Sequence, residues 1–340
     1  MMWAPAVLSA VTGSMIALPL VPSINELRRR RDAGPLPTRS DDGKIDNFAR
    51  SMKEYMEPLT TQTSGPFRTM RDGLIGRVLR IQDIASLPTQ AIDTPTFVPQ
   101  NAVFSLPVCF THELYVRGNL QLANHSLLRA ALVEGDAELG ERATVARWIH
   151  VTGNLDAGPE TRLYGRASAK GELTMRRGTI FERVQGSAIF AGVPRQALFE
   201  QSPIWSGSSL TEIRLGRVRS NGDFHLRDSD VFQGHIVAAG KVEIGDNVVV
   251  IGSIKARTDL EIGSSTQVEG TLVSRGHISI GSGCYLKGPV MAEEEIVIGP
   301  GTQIGTASSP TTVSAPRIKI AAGAVVFGTL WAREQGEVTA

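Results

Sequence analysis

Histidines are the side chains of this 340-residue chain best suited to acid–base chemistry, and their spacing limits what they can do. His235 and His277 lie in its most regular part, where either could act as a general base on a thiol or hydroxyl group. The other four are scattered, with no HxH or HxxxH pair to hold zinc: His112, His125, His150 and His225. The histidine pattern therefore predicts no metal site.

Other reactive residues give no stronger signal. Cys109 and Cys284 lie far apart and outside any CxxC motif, which indicates a reducing compartment and no metal finger. GxSxG and the phosphate-binding glycine loop are missing from the sequence. Glu293, Glu294 and Glu295 are consecutive, so they cannot converge on one cleft as polysaccharide cleavage requires. We predict no catalytic residue, no cofactor and no metal, and Cys284 as a small core residue.

Glycines recur at a fixed period, and this period indicates the kind of structure that carries the histidines, cysteines and glutamates. Two series of glycines, each with members 18 residues apart, run through the C-terminal third: Gly234, Gly252, Gly270, Gly288 and Gly245, Gly263, Gly281, Gly299. A period of this length is typical of a solenoid whose turns stack on one another. The charge balance, 35 Lys plus Arg against 34 Asp plus Glu, argues against a nucleic-acid partner.

Within each 18-residue unit, apolar or small residues come in pairs two positions apart, and the pairs recur every six residues. A spacing of two puts both members on one face of a strand. Three short strands per unit predict an all-β, triangular, single-stranded β-helix. The inward pairs are Ile236/Ala238, Val242/Ile244, Val248/Val250, Ile254/Ala256, Leu260/Ile262, Thr266/Val268, Leu272/Ser274, Ile278/Ile280, Cys284/Leu286, Val290/Ala292, Ile296/Ile298 and Thr302/Ile304.

A weaker copy of the period occurs earlier, at Gly135, Gly153 and Gly171. The period is lost between Gly186 and Gly234, where residues near 193–209 resemble an insertion. We therefore predict a first β-helix block over 105–190, an insertion with an irregular rung over 191–230, and a regular second block over 231–335.

The N-terminus differs from the rest. Residues 1–25 carry no charged side chain and are long enough for a transmembrane helix. The block Arg28, Arg29, Arg30 and Arg31 follows, and the positive-inside rule puts it in the cytoplasm. We predict a single-pass inner-membrane anchor, with the bulk of the chain cytoplasmic. In the 26–104 linker, residues 44–59 have the apolar stripe of an amphipathic helix, docked on its own protein or on a membrane or partner.

The tandem "HIVAAGKVEIGDNVVVIGSIKARTDLEIGSSTQVEGTLVSRGHISIGSGCYLKGPV" resembles the bactofilins, a family of polymer-forming bacterial cytoskeletal proteins. The resemblance is clear over 231–334 and looser over 105–190. It implies a triangular β-helix core and, in some members, a membrane-binding N-terminal segment. This chain departs from the family in having two blocks and a longer anchor.

The resemblance also implies function. It suggests a non-enzymatic scaffold that polymerises end to end on the inner membrane and organises unknown envelope or surface-polysaccharide proteins. The final rung supplies apolar candidates for the self-association contact: Phe327, Leu330 and Trp331.

Two alternatives stay open. The repeat register also matches the hexapeptide repeat of left-handed β-helix acyltransferases, in which His235 or His277 would be the general base. A monomeric, membrane-bound adaptor is the other alternative.

Overall fold

The computed structural model describes residues 47–60, 67–71, 74–80, 91–192, 213–215 and 217–340, with Trp3, Met15 and Leu18. The chain divides into two units, residues 1–44 and 45–340. The described part is nearly all β and forms a β-solenoid of about 12 turns with about 18 residues per turn, which confirms the predicted solenoid. The anchor predicted over 1–25 and the insertion predicted near 193–209 lie outside the described residues, apart from Trp3, Met15 and Leu18.

The first block winds from β3 to β13. Each turn has one short strand and one long strand, and the long strand bends round a corner, so that three parallel ladders form. The first ladder joins β4, β6, β8, β10, β12 and the end of β13. The strands are β3 (Thr96–Val98), β4 (Ala102–Phe104), β5 (Cys109–Val116), β6 (Leu120–Leu122), β7 (Leu127–Val133), β8 (Ala137–Leu139), β9 (Thr144–Val151), β10 (Leu155–Ala157), β11 (Arg162–Ala169), β12 (Leu173–Met175) and β13 (Ile180–Ala191).

The second block winds from β14 to β31, and each strand pairs in parallel with the third strand before it until β29, after which β30 and β31 each span a whole turn. Its strands are β14 (Ile213–Leu215), β15 (Val218–Ser220), β16 (Phe224–Leu226), β17 (Val231–Gln233), β18 (Ile236–Ala238), β19 (Val242–Ile244), β20 (Val249–Ile251), β21 (Ile254–Ala256), β22 (Leu260–Ile262), β23 (Gln267–Val268), β24 (Leu272–Ser274), β25 (Ile278–Ile280), β26 (Tyr285–Leu286), β27 (Val290–Ala292), β28 (Glu295–Ile298), β29 (Gln303–Ile304), β30 (Thr311–Ala321) and β31 (Val325–Thr339).

The predicted inward register is confirmed. All 24 members of the twelve predicted pairs are buried, and the most exposed of them, Ala292, has 6% of its surface accessible. Like residues stack in columns along the axis, as the small corner column Ala238, Ala256, Ser274 and Ala292 illustrates. Each turn therefore buries its apolar residues against the turns on either side of it.

The glycine period has a steric cause in the second block. A Cβ added to Gly252 would overlap the carbonyl oxygen of Gly234 one turn below, and one added to Gly270 would overlap that of Gly252. Gly252 also has a φ of +158°, at the limit of the left-handed region. The corners of successive turns approach too closely for any side chain, which favours glycine at every eighteenth position.

In the first block, polar side chains connect successive turns by hydrogen bonds at one corner. The side-chain oxygens of Asn101, Asn119, Asp136 and Asn154 each accept a hydrogen bond from a backbone N–H one turn further on, at 2.7–2.9 Å. These bonds satisfy backbone donors where the strands are interrupted. The sequence reasoning missed this ladder, although its members recur every 17 or 18 residues.

Helix α1 (Asn47–Thr60) packs on the first block. Ala49, Met52 and Met56 are buried against an outward column of the solenoid that includes Phe97, Tyr115 and Leu132. The apolar stripe therefore faces its own protein, which is the docked alternative of the two considered for this helix. Strands β1 (Phe67–Arg71) and β2 (Leu74–Arg80) form an antiparallel hairpin, and β2 continues in parallel onto β3.

Candidate functional site

The ends of the solenoid decide which surfaces are free for self-association. The last strand of the second block, β31, does not end the solenoid. It pairs antiparallel with β13, the last strand of the first block, from Ile180 opposite Glu337 to Phe190 opposite Val325. The two blocks therefore meet at their C-terminal turns within one chain, and a single buried apolar core contains residues of both.

This junction corrects the expectation that the final rung is an exposed end. Leu330 is fully buried opposite Val184, and Phe327 is 7% exposed in a small cluster with Ala188 and Phe190. Trp331 points outward, is 42% exposed and has the guanidinium of Arg183 5.0 Å from its ring centre. Phe327 and Leu330 are thus covered by the protein's own first block, and an end-to-end contact needs other residues.

One glycine of β31 permits the close approach of the two blocks, and another permits the close approach of β30 within the second block. Gly336 lies opposite Phe181, and a Cβ at Gly336 would overlap the phenyl ring. Gly328 has a φ of +118°, and a Cβ there would overlap the carbonyl oxygen of Thr311. The junction is therefore a packed part of the core, built with the steric specificity of a protein interior.

The first turn of the second block is the opposite end of the solenoid. Among the described residues, its strands β14, β15 and β16 pair on one side only, with β17, β18 and β19. Val218 and Phe224 point inward but are only partly buried against the core. A Cβ added to Gly222, in the same turn, would meet no described atom within 4 Å. Within the described ranges, this turn therefore has strand edges without a partner strand and part of the apolar cross-section at its surface.

The far end of the first block is different. There the β1–β2 hairpin extends the sheet beyond β3, through the pairs Leu79 with Thr96 and Arg80 with Phe97. The hairpin therefore covers part of the edge of β3, whereas β14, β15 and β16 have no such neighbour among the described residues. The turn of β14–β16 is therefore the more open of the two ends in the part of the chain that the structure describes.

The two candidate general bases occupy corner positions. His235 is exposed, and its Nδ1 accepts a hydrogen bond from the backbone N–H of Ser253 at 3.1 Å. His277 is exposed, with its Nε2 2.7 Å from a carboxylate oxygen of Glu294. His235 therefore links successive turns by a side-chain-to-backbone hydrogen bond, as Asn101, Asn119, Asp136 and Asn154 do in the first block. The two histidines are two turns plus a strand apart along the chain, and neither lines the cavity beside Ala49 or the one beside Asn101 on the first block.

Cys284 lies in the core, as predicted from its inward position, and is 1% exposed. Its Sγ donates to the carbonyl oxygen of Gly263 at 3.1 Å. Burial away from water raises the pKa of this thiol. Cys284 is therefore a poor nucleophile.

The arginine block predicted to flank a membrane segment, Arg28, Arg29, Arg30 and Arg31, lies outside the described residues. Within the described part of the chain, no helix combines the length and the hydropathy needed to cross a bilayer.

Comparisons of the chain with models of known protein families, with curated proteins and with solved structures found no match.

Proposed function

We propose that this protein is a bactofilin-like, polymer-forming scaffold that associates with further copies through the open turn of β14–β16. In this proposal residues 1–25 anchor it in the inner membrane, with the solenoid in the cytoplasm, where the assembly organises envelope or surface-polysaccharide machinery. The observation that carries the proposal is the open turn itself, whose strands pair on one side only among the described residues.

A second copy is the occupant that fits this end. In the part of the chain that the structure describes, three strand edges have N–H and C=O groups without a partner strand, and Val218 and Phe224 add apolar surface between them. The junction of β13 with β31 supports this choice, because there two terminal turns of the same protein pair antiparallel across the whole cross-section. Two copies related by a two-fold axis could repeat that arrangement at β14–β16.

The proposal sets the dimensions of the assembly. With about 12 turns per chain and roughly 4.8 Å between neighbouring strands, each solenoid is roughly 58 Å long. Pairing at β14–β16 alone gives a dimer of about twice that length. A filament needs a second contact, for which the outer edge of the β1–β2 hairpin is one candidate among the described strands.

Replacing Val218 with lysine is expected to weaken assembly about 100-fold or more, since a charge would be buried in the contact without a partner. In the monomer the half-exposed position lets the lysine reach water, so the fold should persist. The matched control is Val273→Lys, which places the same charge at a half-buried, outward position in the middle of the block. Light scattering and electron microscopy of the full chain in detergent measure particle size.

Particles of unchanged size for Val218→Lys would reject this end as the contact. A chain that is monomeric at every concentration would instead support the adaptor alternative.

The anchor gives a separate prediction. A variant lacking residues 1–31 is expected to leave the membrane fraction, because the uncharged stretch and the arginine block supply the membrane affinity. Fractionation of cells that express either form measures this, and a truncated protein that still sediments with membranes would contradict the anchor.

A further inference from the structure

A cavity of about 390 Å³ lies between helix α1 and the first block. Cavities of this size are large enough for a small ligand. The lining comes from the first two turns of α1 and from three consecutive turns of the solenoid: Ala49, Arg50, Lys53, Leu132, Glu134, His150, Thr152 and Lys170.

Two columns of side chains on the solenoid lie along the cavity. Leu132, His150 and Ser168 are directly paired neighbours on β7, β9 and β11. Glu134, Thr152 and Lys170 follow the same three strands, one on each turn. Because the register of the strands is fixed by the core, these side chains are presented at a fixed spacing.

Helix α1 lies on the other side of the cavity, and several contacts hold the helix on the first block. Met52 and Met56 are buried against the solenoid, and the guanidinium of Arg166 lies 4.8 Å from the ring centre of Phe48. The Nζ of Lys53 lies 2.8 Å from Oε1 of Glu134. The cavity is therefore bounded on one side by a docked helix.

Most of the charged side chains that line this cavity are cationic. Arg50, Lys53 and Lys170 line it with Glu134 as the one carboxylate among the lining residues. Glu134 is already engaged by Lys53 and by the hydroxyl of Tyr115, which donates to it at 2.9 Å. Burial opposes ionisation of Glu134, but these two hydrogen bonds outweigh it and lower its pKa. Lys53 and the ionised Glu134 pair with each other, and Arg50 and Lys170 bring two further cationic groups to the lining.

A buried polar side chain completes the site. His150 is only 7% exposed, and its Nδ1 lies 2.7 Å from Oγ of Ser168, which fixes the plane of the ring. Thr152, on the neighbouring column, adds a hydroxyl group to the lining. Cationic groups together with neutral hydrogen-bonding groups are the usual surroundings of a bound phosphate.

We propose that this cavity binds the phosphate group of a small anion, with Arg50 and Lys170 as its charge partners and His150 and Thr152 as polar partners. The site is separate from the open turn of β14–β16, so it does not depend on the proposed assembly. The phosphate can belong to a soluble ester or to a lipid headgroup. The group recognised is the same in both cases.

The test is calorimetric titration of the full chain in detergent with pyrophosphate, against sodium chloride of equal ionic strength. Vesicles of phosphatidylcholine with and without phosphatidic acid test the headgroup source. We expect saturable binding that Lys170→Glu weakens at least roughly tenfold, the loss of about one charged contact. The control, Lys255→Glu, reverses the charge of an exposed lysine on the second block and should bind as the unchanged protein does.

Pyrophosphate binding sensitive to Lys170→Glu assigns a soluble anion, whereas binding confined to phosphatidic acid vesicles with the same sensitivity assigns a headgroup. Arg50→Met, which changes a helix residue, is a second variant expected to weaken binding while the circular dichroism spectrum stays unchanged. The proposal is overturned if neither probe binds, or if Lys170→Glu and Lys255→Glu weaken binding equally.

Discussion

Replacing Ile262 with aspartate is expected to lower the free energy of unfolding by about 4 kcal/mol or more. Ile262 is 4% exposed and lies in an inward column between Ile244 and Ile280. A carboxylate there would lose its water without gaining a partner, and the apolar contacts of the isoleucine would be lost as well. Urea denaturation followed by circular dichroism measures the change.

The control for this variant is Val297→Asp on β28, an outward position 37% exposed and directly paired with Lys319. We expect it to change the stability by no more than about 0.5 kcal/mol, because surface substitutions are seldom larger. Equal losses for the two variants would show that the inward and outward positions have been assigned wrongly.

Leu330→Arg is expected to destabilise the folded chain itself by about 4 kcal/mol, because Leu330 is fully buried between Val313 and Val184. The arginine would open the junction between the blocks, so amide hydrogens of β13 and β31 should exchange faster than those of β19 or β22. Urea denaturation gives the loss, and hydrogen exchange locates it.

Thr329→Arg is the matched control, since the neighbouring position is half-buried and points outward opposite Gln185. It should cost less than about 1 kcal/mol. A Leu330→Arg protein with unchanged stability but smaller particles would restore the hypothesis that the final rung contacts another subunit.

The register of the second block could be predicted because it repeats. Each inward column there has an apolar or small side chain at every eighteenth position, as Val242, Leu260 and Ile278 show. Stacked turns place like residues one above another, so the 18-residue period in the sequence predicts which residues of successive turns pair.

The first block was harder to delimit. Its long strands bend round a bulged corner, as at β7 and β9, and this blurs the six-residue spacing of inward pairs. Rungs consequently begin before residue 105, with β3 and β4, and the second block begins before residue 231, with β14.

The junction could not be predicted at all. Antiparallel pairing of β13 with β31 joins segments distant in sequence and follows no period. An apolar residue such as Leu330 gives the same signal whether its own chain or another subunit covers it. The cavity beside His150 was missed for a related reason, since docking of α1 brings Lys53 to Glu134 without any motif.

The two blocks close on each other within one chain, which leaves the turn of β14–β16 as the more open end of the solenoid among the described residues. Gln185 and Thr329 are direct antiparallel partners across the junction, within reach of a disulfide. Oxidation of a variant with both Gln185→Cys and Thr329→Cys tests whether this pairing lies within one chain. The control is the unaltered chain, which has its own half-buried Cys109. Non-reducing electrophoresis should show a cross-linked monomer at every protein concentration. Disulfide-linked dimers that form at the expense of that monomer would show that β13 pairs with β31 of another copy.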